Sequence, residues 1–100
     1  MKRLLLALLA IALAGCVSQG SHSVAIECVS LCESALANGT DLSAGPCLGL
    51  LENGYACDVA HSPRAAADDV TANQCEDWHS GKAKGFVEVT PECGLIRQYP

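Results

Sequence analysis

The densest run of reactive side chains in this 100-residue chain is Cys57-Asp58-Val59-Ala60-His61-Ser62-Pro63-Arg64. A histidine near an aspartate and an arginine has the groups for acid–base work. A nucleophile such as Ser62 would need the imidazole oriented onto it. Spacing at a strand end does not impose that orientation, so the segment first reads as a structured turn with Asp58 and Arg64 paired across it. His61 and His79 raise a second chemistry, because imidazole and thiolate are the usual zinc ligands. The chain has no Cys-x-x-Cys or zinc-finger spacing to support it, and Cys28-x-x-x-Cys32 is weak evidence. Thioredoxin-like redox work needs Cys-x-x-Cys at a helix start. The expectation is therefore no resident metal or cofactor, with His61 and His79 as the alternative ligands. Asp58, His61, Arg64 and Trp78 make the candidate functional patch. Trp78 is the single tryptophan, and an exposed tryptophan is a strong anchor for a partner.

These groups must be positioned by short elements. Val24, Cys28, Leu31, Cys32 and Ala35 recur at helical spacing, with Glu27, Ser30, Glu33, Ser34 and Ala37 on the other face, which predicts an amphipathic helix over 24–38. Ser23 suits its N-cap and Asn38-Gly39 its stop. Asn38-Gly39-Thr40 also spells a glycosylation sequon, but the helix stop explains the residues. Asn53-Gly54 between apolar runs predicts a hairpin over 47–60. A two-residue turn there sets Leu50 opposite Cys57 and Cys47 opposite Ala60, so Cys47 and Cys57 point to opposite sheet faces. Thr71-Ala72-Asn73-Gln74 matches a capping box that would open a short helix over 72–80, closed by Gly81. Residues 85–90 are rich in β-branched and aromatic types and predict a late strand, with Leu95-Ile96 as one more short strand. The fold class expected is a single small α+β, disulfide-rich domain.

The address is written at the front. Lys2 and Arg3 precede an apolar run from Leu4 to Ala14, which ends in Leu13-Ala14-Gly15-Cys16. A basic start, a short apolar stretch and small residues at the cut are the parts of a secretory leader. The run falls short of the roughly 20 apolar residues that span a bilayer. Leu-Ala-Gly before cysteine resembles the lipobox of a prokaryotic lipoprotein. That resemblance implies cleavage of 1–15, lipid on Cys16, a tether over 16–23 and a cysteine-rich domain over 24–100. A diacylglyceryl group would supply the two acyl chains that stable anchoring requires. The location implied is the extracytoplasmic face of a membrane.

Beyond the leader the chain keeps four basic and eleven acidic residues, a formal charge of −7. Such a domain is repelled by nucleic acid; a cationic ligand or a protein partner fits better. Cys28, Cys32, Cys47, Cys57, Cys75 and Cys93 are even in number, and three disulfides are expected in an oxidising compartment. Each would contribute about 2–4 kcal/mol, the help a core this small needs. Bonding Cys28 to Cys32 would strain a regular helix, and the opposed hairpin faces separate Cys47 from Cys57. Most other pairings stay open. A nested set, 28–57 with 32–47 and 75–93, suits an antiparallel chain return but conflicts with the opposed faces.

Cys28-x-x-x-Cys32, Asp41-Leu42-Ser43-x-Gly45-Pro46-Cys47-Leu48, the Cys57–Arg64 run, Asn73-Gln74-Cys75 and Phe86-Val87-Glu88-Val89 with Cys93 resemble a small, uncharacterised cysteine-rich archaeal family. The resemblance implies the outer face of an archaeal membrane and brings no activity with it. The function expected is a membrane-anchored binding or accessory module. One alternative is a metal-binding or redox lipoprotein using the cysteines with His61 or His79; another is a small hydrolase on Asp58, His61 and Ser62.

Overall fold

The computed structural model describes residues 23–100. The segments expected to form the leader, the lipobox with Cys16 and the tether through residue 22 lie outside them. Helix α1 spans Val24–Ala37, as the periodicity predicts. The Ser23 hydroxyl accepts a hydrogen bond from the Ile26 amide at 3.1 Å, so one of the unpaired first-turn donors is satisfied. Gly39 takes φ +80° just after the Asn38 C-cap, and the Gly39 and Thr40 amides close onto the carbonyls of Leu36 and Ala35. Cys28 and Cys32 are fully buried on the inner face, with Val24, Leu31 and Ala35 packed around them.

α1 lies on a four-stranded mixed sheet. Strands β1 (Cys47–Leu50), β2 (Tyr55–Val59), β3 (Gly85–Val89) and β4 (Leu95–Tyr99) are adjacent in chain order. β1–β2 and β3–β4 are antiparallel, while β2–β3 is parallel. A parallel pair needs a crossover, and residues 60–84 supply it. The crossover holds two 3₁₀ turns, Ala66–Asp69 and Thr71–Asn73, and a single-turn helix α2, Glu76–His79. Period-two alternation splits the sheet faces. Cys57, Val59, Val87 and Val89 join the buried face of α1, whereas Ala56 and Phe86 face the crossover with Cys75 and Ala83.

The fold class stands as expected from sequence, with differences in detail. The hairpin closes with Leu51 against Tyr55, so its loop is Glu52-Asn53-Gly54 rather than a two-residue turn. Gly54 takes φ +86°, and its carbonyl accepts the Lys84 amide at 2.9 Å; pairing to the start of β3 selects the longer loop. A bulge between Cys47 and Gly49 then sets Cys47 opposite Asp58 and Leu50 opposite Ala56, in place of Ala60 and Cys57. The predicted helix over 72–80 shrinks to Glu76–His79. The capping box does not form: Gln74 is extended and donates its side-chain amide to the Asp68 carbonyl at 2.7 Å. β4 runs to Tyr99 rather than stopping at Ile96.

The six cysteines among the described residues are all paired, as Cys28–Cys57, Cys32–Cys93 and Cys47–Cys75. Neither pairing excluded on sequence grounds occurs. Of the nested set only 28–57 forms. The largest fully buried side chains are three valines and three of these cysteines. A fully buried valine contributes about 1.5–3 kcal/mol, so cross-links carry much of the stability of so light a core. Three disulfides belong to an oxidising, extracytoplasmic environment. Among the described residues no helix is long and apolar enough to cross a membrane.

Candidate functional site

The sheet face turned away from α1 carries the chemistry. Asp58 on β2 is the register partner of Glu88 on β3, which in turn pairs with Arg97 on β4. Adjacent strands lie about 4.8 Å apart, so two carboxylates and a guanidinium form one row. Glu88 is 7% exposed. Its two oxygens meet Arg97 Nε at 2.8 Å and Arg64 Nη1 at 3.5 Å. Arg64 also binds the Asp69 carboxylate through Nε at 2.9 Å and the Asp68 carbonyl through Nη2 at 3.0 Å. The turn expected to pair Asp58 with Arg64 therefore pairs Arg64 with Asp69 and Glu88. The arginine is drawn off by two other acids.

Asp58 forms no ion pair, although the Val59 amide and the Arg64 charge both favour its ionised form. Its Oδ1 is buried with no hydrogen-bond partner. Burial pushes its carboxyl up to about 7, and repulsion from Glu88 and Asp68 adds to that. A cavity of about 250 Å³ opens between this face and the crossover, lined by Asp58, Glu88, Arg64, Trp78, His79 and Phe86 among others. Trp78 packs edge-on against Phe86, with ring centres 4.9 Å apart, and against Tyr99 at 6.0 Å. The Arg97 guanidinium sits 5.1 Å over the Phe86 ring. Trp78 remains 37% exposed, so the cavity has an aromatic wall that reaches solvent. The His79 ring is held by Gln74 Oε1 at 2.6 Å.

The raised Asp58 carboxyl has a consequence for stability. A group that binds its proton more tightly folded than unfolded loses stability as pH rises from about 4 to about 7, and the deficit persists above that. Asp58→Asn removes the deficit. It is expected to raise the unfolding free energy at pH 8 by about 1–2 kcal/mol, after discounting for solvent screening of a part-exposed group. Near pH 4 the difference should vanish. Urea unfolding at pH 4, 6 and 8 checks this, and equal stabilities at pH 8 would contradict it.

His61 lies elsewhere. Its Nδ1 is 2.9 Å from Asp68 Oδ1, while the His61 and Ala65 amides both donate to Oδ2 at 2.9 Å. Burial raises the Asp68 carboxyl, but these hydrogen bonds outweigh it and hold the group below the ordinary carboxylate range. Gly45 permits the approach. A Cβ there would stand 2.7 Å from Asp68 Oδ1 and 3.0 Å from the Val59 carbonyl, at φ +74°. Asp68 thus takes the place beside His61 that sequence reasoning assigned to Asp58. His61 and Ser62 line a second, more open cavity with Ser43, Thr90 and Glu92. His79 lines the first, so the two histidines are not brought together. Among the described residues no group of three or more histidine, cysteine or acidic side chains is arranged to hold a metal.

The structure therefore gathers Asp58, Arg64 and Trp78 of the predicted patch around one cavity and sends His61 to another. Sequence reasoning did not single out Asp68, Glu88, Phe86 or Arg97. For Phe86 and Glu88 the signal was present: they alternate with Val87 and Val89, so a buried valine face puts them together on the other side. By architecture the chain is a small disulfide-stapled α+β domain with a cavity on one sheet face. No protein-family model, curated protein or solved structure matches it.

Proposed function

We propose that this chain is a membrane-anchored extracytoplasmic lipoprotein, held through lipid on Cys16, whose domain is a binding module with its ligand site in the Asp58–Trp78 cavity. The observation that carries the reading is the unpartnered Oδ1 of Asp58 in a cavity beside a partly exposed tryptophan. Native proteins satisfy nearly all buried polar groups, so an orphan in a cavity asks for an occupant. A concave site with an aromatic wall and a few convergent polar groups is the usual form of a ligand pocket. The tether supports the same reading: the seven residues from 17 to 23 span at most about 25 Å, which holds the domain near the bilayer. Scaffold disulfides suit a module whose work is recognition in an oxidising space.

The test has two arms. Lipid attachment is read by intact mass of the full chain expressed with its leader, against Cys16→Ser. Binding is read by a small-molecule fragment screen on the same detergent-solubilised protein, followed by amide NMR. Shifts clustered at Ala56, Asp58, Trp78 and Phe86 are the expected result. Hits scattered over the surface, or gathered at His61, would move the site.

A further inference from the structure

We infer that the cavity recognises a small organic cation: a protonated amine or amidine carried on a flat apolar group no larger than about one ring. This deepens the binding reading and rests on it. The charge pattern around the cavity selects the head group. Arg97 is committed to Glu88 at 2.8 Å, and the shortest ion pair of Arg64 is to Asp69 at 2.9 Å. With those pairs made, Asp58 is the carboxylate in the cavity wall that forms no ion pair; Arg64 lowers its pKa only weakly and through space. Below about pH 7 a proton neutralises Asp58, which burial and the neighbouring Glu88 favour. An ammonium group can displace that proton and supply both the charge and the donor that Asp58 Oδ1 lacks. An anion would have to detach Arg64 or Arg97 from its carboxylate and then face Asp58 and Glu88.

The walls select the body. Trp78 and Phe86 offer an aromatic corner, and a cation beside the face of a tryptophan gains further attraction. A volume of about 250 Å³ lies below the range that houses drug-sized ligands, which limits the occupant to a single-ring size. The charged groups that bear on Asp58 are Glu88 from β3, Arg97 from β4, Arg64 and Asp68 from the crossover, and His79 from α2. The ionisation that admits the cation is that of Asp58 itself.

The experiment titrates the full detergent-solubilised chain with benzylamine, benzyl alcohol and benzoate. Trp78 fluorescence gives the affinity and amide NMR gives the location. At pH 8 benzylamine should bind at the Asp58–Trp78 residues about tenfold more tightly than benzyl alcohol, and benzoate should leave those residues unmoved. Benzylamine affinity should rise about tenfold from pH 6 to pH 8 as Asp58 ionises. Asp58→Asn should bring benzylamine down to the level of benzyl alcohol and flatten the pH profile. This variant separates Asp58 from His79, whose imidazole lines the same cavity. Equal binding of amine and alcohol at these residues would overturn the cation assignment and leave the cavity as a binding site. A pH profile that survives Asp58→Asn would also overturn it. If none of the three probes moves these residues, the binding reading falls with it.

Discussion

Replacing Cys32 and Cys93 together with alanine should lower the unfolding free energy by about 4 kcal/mol. This disulfide closes the longest loop, its two cysteines 61 positions apart in sequence. The chain-entropy account of cross-links gives about 4 kcal/mol for a loop of that length, and less for the separations of 29 and 28 closed by the other two. It also joins α1 to the Thr90–Gly94 turn. Cys93 holds φ +71° there, a conformation that L-residues rarely adopt. The whole stability of a domain this size is about 5–10 kcal/mol. The variant should therefore be close to unfolding at 37 °C, while the Cys47–Cys75 double variant retains somewhat more. Urea unfolding of the three proteins measures the ranking. A loss under about 1 kcal/mol for the 32–93 variant would show that the sheet and helix hold without this staple.

Asp68→Ala should be nearly as damaging, at about 3 kcal/mol at neutral pH. The side chain is 1% exposed and receives two backbone amides and the His61 ring. Truncation takes the acceptor from the His61 and Ala65 amides of a half-buried turn and loosens the crossover that roofs the cavity. Asp68→Asn keeps the shape and one acceptor oxygen, and should lose about half as much. The pH sign is opposite to that of Asp58. Asp68 is held below the ordinary carboxylate range, so its contribution is present above the unfolded value near 4 and is lost as pH falls through the folded value. Wild type and Asp68→Ala should therefore converge in strong acid. A constant difference between them from pH 7 to pH 2 would show that Asp68 acts through packing rather than as a carboxylate.

Legibility followed the range of the physics. α1 was readable because its period, its cap at Ser23 and its stop at Asn38-Gly39 are all local and agree. The opposed directions of Cys47 and Cys57 were readable because at Cys47 the register moves by two, from Ala60 to Asp58, which keeps the face; at Leu50 it moves by one, from Cys57 to Ala56, which does not. The turn at 52–54 and the shortened α2 were not. Gly54 is drawn to Lys84 across the sheet, and Gln74 spends its side chain on Asp68 and His79; none of the three lies within the four-residue reach of a local turn or cap. The site fared likewise. Asp58, Arg64 and Trp78 stood out by residue type, but the choice of Asp68 for His61 and of Glu88 for Arg64 needed the fold.

The sequence by itself determined the small α+β class, the even set of disulfide cysteines, the amphipathic first helix and the acidic balance of the chain. These depend on composition, spacing and local hydrogen bonding, which travel with the chain. Only the tertiary structure decided which cysteines pair, which carboxylate meets a cation and which is left without one. The parallel β2–β3 pairing sets Asp58 beside Glu88 and folds the crossover over both. That pairing joins residues about thirty apart in sequence, where no local preference reaches and only burial and register choose.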